Sequence, residues 1–353
     1  MPIATLRRMI LIGLLLAIGA VLSFLNPSFL KLDNLMTLLQ EASQTGIVAI
    51  GFTLVLITAG IDMSIGAVIA VTAMVCVNFL SYTPIPAFLF IPLSLLTGCL
   101  VGLFNGYFIT HFKLPEFIVT LASRGILAGI ALIIAVKDSD GFVSNVYIQD
   151  PVYLSFGGTV GPVYIVTIVF IVLAFLTQFF LKRTRAGTNI YATGANPAAA
   201  RLSGINTDRS IYGVYMFSGF CASLAAIFIS ARMMTAMPEF GLGSEMDVIA
   251  SVVIGGTPFT GGVGDIWGTV IGTLFLALIK NGILKLGISP YVQPIAIGGI
   301  IVVVVMFDVW YKAFAEGIAK RSAYRRKQSG EAAAAVAAEA DAVAGGDGKG
   351  ERS

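Results

Sequence analysis

Long apolar runs dominate the chain, and they are broken mainly by glycine, proline and isolated charges. Residues 9–24, 86–109, 117–136, 162–181 and 292–310 are each close to the roughly 20 apolar residues that a helix needs to cross a bilayer. The runs are continuous rather than alternating, which predicts spanning helices and argues against a barrel. Read along the whole chain, the pattern predicts about ten crossings, near 9–29, 35–57, 64–80, 86–109, 117–136, 162–181, 210–231, 247–257, 266–284 and 291–310. The eighth is short and meets Gly255-Gly256-Thr257-Pro258, so a broken or re-entrant segment is expected over 247–265.

Composition agrees with this pattern. The chain is 57% hydrophobic and 12% charged, where a soluble domain carries about 25% charge. The fold class expected is therefore an all-α integral membrane protein. Lysine and arginine set the orientation. With the N-terminus in the cytoplasm, Arg7, Arg8, Lys113, Lys182, Arg183, Arg185, Arg201, Arg209 and the cluster from Lys320 to Lys327 all fall inside. Only Lys31, Lys137, Arg232 and Lys285 fall outside, so the positive-inside rule puts both termini in the cytoplasm. Loop 137–161, with Asp138, Asp140 and Asp150, is then external. Residues 1–24 also have the layout of a secretory signal, but cleavage would leave an odd number of crossings. The chain divides into a membrane domain over 1–311 and a cytoplasmic tail over 312–353, basic at first and then rich in alanine, glycine and acidic residues.

Candidate chemistry is sparse. Three cysteines lie in apolar runs and the single histidine is His111, which leaves nothing for a metal or catalytic cluster. No glycine-rich phosphate loop or nucleophile motif occurs, so any nucleotide energy must come from another chain. What remains is a set of polar breaks. Asp62 and Ser64 lie in Gly60–Gly66, where Asp62 reads either as an N-cap at the membrane boundary or as an intramembrane carboxylate needing a partner. Asn105 precedes Gly106, and Arg124 lies two turns beyond the helix start at Pro115-Glu116, where it must snorkel, find an acceptor or face a cavity. Glu245 and Asp247 open a helix that capping would explain. With Thr257 and Asn281, these residues are the candidates for a polar path through the membrane.

The segment 182–209 differs from the rest. Asn196 suits an N-cap, Pro197 the first helical position and Gly204 a C-terminal stop, which predicts a two-turn helix at the membrane surface.

Taken in order, these stretches resemble the permease subunits of bacterial ABC importers for monosaccharides, of the ribose/xylose/galactose type. The resemblance rests on Gly60–Gly66, on Asn105-Gly106 through Leu121, on Gly194–Ile205 and on Gly241–Gly264, and it covers roughly residues 34–308. Ala59, Pro258 and Arg124 (with Ala128 where an arginine is usual) depart from the family pattern. The resemblance implies a multi-pass permease of the inner membrane, paired with an identical or paralogous permease chain. It also implies a cytoplasmic ATPase that uses ATP and magnesium, and a periplasmic sugar-binding protein. The chain itself would be no enzyme, hold no cofactor and meet lipid but no nucleic acid. Gly194, Asn196, Pro197, Ala199, Ala200, Arg201 and Gly204 would form the coupling helix on the ATPase. The alternatives are an ion-coupled secondary transporter and an ABC permease for another small polar solute.

Overall fold

Most of the polar breaks in the sequence become helix ends, in a computed structural model that describes residues 3–82, 86–135 and 146–306. In chain order the helices are α1 (Ile3–Leu25), α2 (Leu32–Ile57), α3 (Ile65–Tyr82), α4 (Ala87–His111), α5 (Glu116–Ile134), α6 (Pro151–Ser155), α7 (Ile165–Arg183), α8 (Arg185–Ala195), α9 (Pro197–Leu202), α10 (Thr207–Met233), α11 (Ser244–Ile254) and α12 (Ile266–Lys285). An apolar α13 covers Val292–Met306. The only strands among the described residues are two-residue pairs. β1 (Val146–Tyr147) runs antiparallel to β4 (Thr235–Ala236), with Val146 opposite Ala236, and β2 (Thr159–Val160) pairs with β3 (Val163–Tyr164). Residues 1–301 form one compact unit; of the second, 302–353, only 302–306 are described. The expected tail, with Lys320–Lys327, lies outside the described residues, as do Asp138 and Asp140.

Seven of the described helices are long and apolar enough to cross a membrane: α1, α2, α4, α5, α7, α10 and α12. The centre is α2, which packs on α10, α12, α7 and α11, while α10 also packs on α4 and α3. In its most apolar stretch α2 is 83% buried and α1 only 6%, which makes α2 the axis of the bundle and α1 its edge. Helices α4, α5 and α7 bury about a third of that stretch. Their outer faces carry exposed Ile133, Phe175, Leu176 and Phe179, the surface that hydrocarbon solvates at no cost.

The most extensive helix pair among the described residues, α4 with α10, is built on glycine. Gly98, Gly102 and Gly106 recur every four residues on α4 and meet α10 at Gly219, Tyr215 and Tyr212. A Cβ on Gly98 would strike the carbonyl of Gly219, and one on Gly219 would strike that of Gly98. Such small-residue stripes let backbones approach where lipid offers no hydrophobic drive to association.

Hydrogen bonds sort the helix ends into two sets. At one end Arg8 pairs with Asp265, Gly262 N donates to Ile57 O, Tyr191 Oη donates to Gly264 O, and Lys113 pairs with Asp208. That groups the starts of α1, α5, α10 and α12 with the ends of α2, α4 and α8. At the other end Asn26 donates to Lys285 O, Asn78 donates to Ile134 O, and β1 meets β4.

Two expectations are corrected here. The helix after Asp62 begins at Ile65, and of the two readings of Asp62 the one at the membrane boundary is corrected, since the residue is buried (2% exposed). The helix expected over 247–257 is α11, Ser244–Ile254, and its N-cap Gly243 offers no side chain, so neither Glu245 nor Asp247 caps it.

Candidate translocation and coupling sites

The chain between α2 and α3 turns back into the bundle before becoming helical. Asp62 Oδ1 accepts from Ser64 N at 3.0 Å and from Ser64 Oγ at 2.6 Å, and Asp62 Oδ2 accepts from Ser218 Oγ at 2.8 Å. Asn105 Nδ2 donates to Ser64 Oγ at 2.9 Å, and Ser123 Oγ donates to Asn105 Oδ1 at 2.5 Å. Ser218 and Ser123 stand 11 and 7 residues into α10 and α5, which at 1.5 Å per residue is about 16 and 10 Å from the helix starts. The node therefore lies well inside the bundle and ties together α3, α4, α5 and α10. All five side chains are buried. Beside it Tyr215 Oη donates to Glu116 Oε2 at 3.2 Å, and Thr120 Oγ1 donates to Ile61 O at 3.1 Å.

A second break meets this one. After β4, residues 237–243 run through turns, with Gly241 and Gly243 in the left-handed region, before α11 begins. With 11 residues, α11 is about 16 Å long, half the thickness of a hydrocarbon core. Its start touches the first turn of α3, since a Cβ on Gly66 would run into Gly241 O and the Glu245 carboxylate. Two cations hold the first turn of α11. Arg124 Nε donates to Glu245 Oε1 at 2.9 Å, and Lys280 Nζ donates to Asp247 Oδ2 at 2.7 Å. Glu245 is buried, but the Arg124 side chain is 38% exposed and those of Lys280 and Asp247 are partly so. Lys280 also lines a cavity of about 290 Å³ with Glu41, Gln44, Thr45, Thr273 and Gln293.

The other sequence-derived candidates fall elsewhere. Asn281 exchanges amide hydrogen bonds with Asn34 at 3.1 Å, joining α12 to α2. Thr257 is buried in the loop between α11 and α12, and its hydroxyl has no partner among the described residues. Arg124, Glu245 and Asp247 come together around the start of α11; Asp62, Ser64 and Asn105 form the neighbouring closed node.

The surface helix forms where its caps put it. Asn196 Oδ1 accepts from Ala199 N at 3.0 Å, Pro197 opens α9, and Gly204 takes φ of +81° just beyond its end. Pro197, Ala199 and Arg201 are exposed and Ala200 is buried. Arg201 is already engaged, donating to Thr207 Oγ1 at 2.7 Å and reaching Asp208 at 3.5 Å. Gly194 lies beneath α2, where a Cβ would run into Ile57 O and Gly262 N. Close by, burial first and then Asp265 push the Tyr191 phenol up to about 12.

Comparison with known proteins decides the family. A model described as the permease component of the branched-chain amino acid transport system matches residues 34–306. The chain belongs to this permease family. Among curated proteins, the permease is 37% identical to the ribose import permease of Haemophilus influenzae over 83% of its own length and 90% of the relative's. It is 32% identical to the galactose/methyl galactoside import permease of Salmonella typhimurium, over 83% and 91%. It is 30% identical to the xylose transport system permease of Haemophilus influenzae, over 84% and 95%. No solved structure matches the permease. With its apolar helices, this makes it a multi-pass membrane transport protein.

Three parts of the permease sites were not singled out in the sequence. Leu202, the last residue of α9, is 91% exposed; an apolar residue next to the predicted stop was the available signal. Lys280 is one cation in an apolar run, which by itself marks a partnered or cavity-facing residue. Helix α8 precedes α9 and is capped by Thr184 Oγ1 accepting from Gly187 N, in a stretch whose charges and glycines read as loop.

Proposed function

We propose that the chain is the pore-forming subunit of an ABC importer that carries a monosaccharide into the cytoplasm, with ATP hydrolysed on a separate subunit. The observation that carries this reading is the meeting of two interrupted segments, 58–64 and 237–243, within the bundle. Non-helical backbone at membrane depth is tolerated only where protein or a cavity encloses it, and transporters place substrate at such breaks. The named substrates of the relatives, ribose, xylose and galactose, supply the solute class.

The polar path runs past Arg124, Asp247 and Lys280, whose charged groups reach open space, with the buried Glu245 holding Arg124 in place. It does not run through Asp62, Ser64 and Asn105, whose hydrogen bonds are consumed by one another. Residues 237–254 count as one interrupted crossing. Added to the seven long helices, α3 and α13, that makes ten. The end that bears Arg8, Lys113, Lys182, Arg183, Arg185, Arg201 and Arg209 faces the cytoplasm, by the excess of cations there. Helix α9 is then the coupling helix, presenting Pro197, Ala199 and Leu202 to the ATPase. A second permease chain completes the pore, and a periplasmic binding protein delivers the sugar.

The test is uptake by proteoliposomes holding the permease, its ATPase and its binding protein. Sugar uptake should require ATP and all three components. Uptake by the permease alone, driven by a proton or sodium gradient, would replace this reading with a secondary transporter.

A further inference from the structure

A cavity of about 780 Å³ opens between α7, α8 and α10, and none of the α11 ion-pair residues lines it. That volume is typical of a site for a small organic ligand. Leu176 and Phe180 of α7 and Val214 and Phe217 of α10 form its apolar walls, and Asn206 and Arg209 line its α8–α9 end. The walls belong to two spanning helices, so the groove opens at hydrocarbon depth, where a soluble partner does not reach. From Arg209 to Phe217 is eight residues, about 12 Å of helix, which approaches the depth of one leaflet.

Charge completes the pattern. The exposed Arg209 side chain has no partner among the described residues. The groove face of α7 recurs at Leu173, Leu176 and Phe180, and three residues further on the same spacing reaches Arg183, also exposed. Arg209 thus stands at the interfacial end of an apolar slot, with Arg183 one step beyond the lining residues of α7. Arginine pairs with phosphate in a bidentate fashion, and apolar walls accept an acyl chain. A free anion would gain nothing from the walls, and a neutral lipid nothing from the unpaired cations.

We propose that this groove holds an anionic phospholipid, its phosphate on Arg209 and an acyl chain between α7 and α10. The proposal needs these helices to span a bilayer but not a particular direction of insertion, and it does not depend on the transported solute.

The experiment uses the full-length chain in its assembled transporter, reconstituted in nanodiscs of mixed phosphatidylcholine and phosphatidylglycerol. Lipid that remains bound after detergent extraction is counted by native mass spectrometry. The wild type should retain phosphatidylglycerol in preference to phosphatidylcholine. Arg209→Gln should lower that retention about fivefold, the weight of one interfacial arginine, and Arg209→Lys, which keeps the charge but not the bidentate geometry, should fall between the wild type and Arg209→Gln. Gly213→Leu should exclude lipid from the groove; a Cβ there meets no heavy atom within 4 Å, so the variant fills space without displacing backbone. Equal retention of the two lipids by the wild type would overturn the proposal, as would wild-type phosphatidylglycerol retention in both Arg209→Gln and Gly213→Leu. So would a groove that carries lipid in the isolated chain but none in the assembled transporter, since a protein partner would then be its occupant.

Discussion

Leu202 contributes almost nothing to the folded chain and, on the reading above, a large share of the contact with the ATPase. It is 91% exposed at the tip of α9, so truncation to alanine removes no internal packing. Substitutions at such surface positions usually change stability by no more than about 0.5 kcal/mol. If the side chain enters a groove on the ATPase, nearly all of its surface leaves water on docking. Full burial of a leucine stabilises by about 1.5–3 kcal/mol, and alanine keeps roughly a third of that. The expected loss is about 1.5 kcal/mol, a little over tenfold in Kd. The assay titrates purified ATPase against the permease in nanodiscs, with a melting curve of the permease as control. Leu202→Ala should weaken binding about tenfold at unchanged Tm, and Leu202→Met, which conserves volume, should restore it. A Kd within twofold of wild type in Leu202→Ala would show that α9 does not dock through this side chain.

Asn105→Ala leaves Ser123 without its acceptor and Ser64 without its donor inside the bundle. At about 1–3 kcal/mol for each unsatisfied group, the detergent-solubilised protein should melt several degrees lower, and an unchanged Tm would refute the closed node. Lys280→Gln and Asp247→Asn should each slow ATP-driven uptake while the double variant falls less than the sum; strict additivity in the double-mutant cycle would deny the ion pair a role in transport. Tyr191 is held neutral by burial up to about pH 12, against about 10 in the unfolded chain. The unfolded form therefore loses its proton first, and this contribution to stability is present below pH 10 and lost between pH 10 and 12. Tyr191→Phe should flatten the fall in Tm over that window; an unaltered slope would mean that the phenol is solvated.

How much could be read from sequence depended on how local each interaction is. The cap of α9 was legible because Asn196, Pro197 and Gly204 act on backbone within one turn of themselves. The spanning helices were legible because hydrocarbon imposes length and composition on each separately. The ion pairs were not, because Arg124 meets Glu245 across 121 residues and Lys280 meets Asp247 across 33. Sequence position indicated only that Arg124 had to snorkel, find an acceptor or face a cavity. The carboxylates at the start of α11 looked like caps because capping is the commonest use of an acidic residue there; tertiary contacts supplied cations instead. Gly98, Gly102 and Gly106 were visible at their four-residue spacing, but nothing local identified α10 as the helix they face.

Gly194 gives the α8–α9 end of the bundle a mechanical property. With no side chain at that position, the last turn of α8, which leads into α9, bears on the main chain of α2 at Ile57 and, at Gly262, on the loop that follows α11. A push on α9 therefore meets no soft rotamer in series. Through the loop at Gly262 the contact leads back to the half-length helix α11, whose other end is held by Arg124 and Lys280. Methyl-sized padding at residue 194 would act as a shim, changing the rest position of the linkage as well as its stiffness.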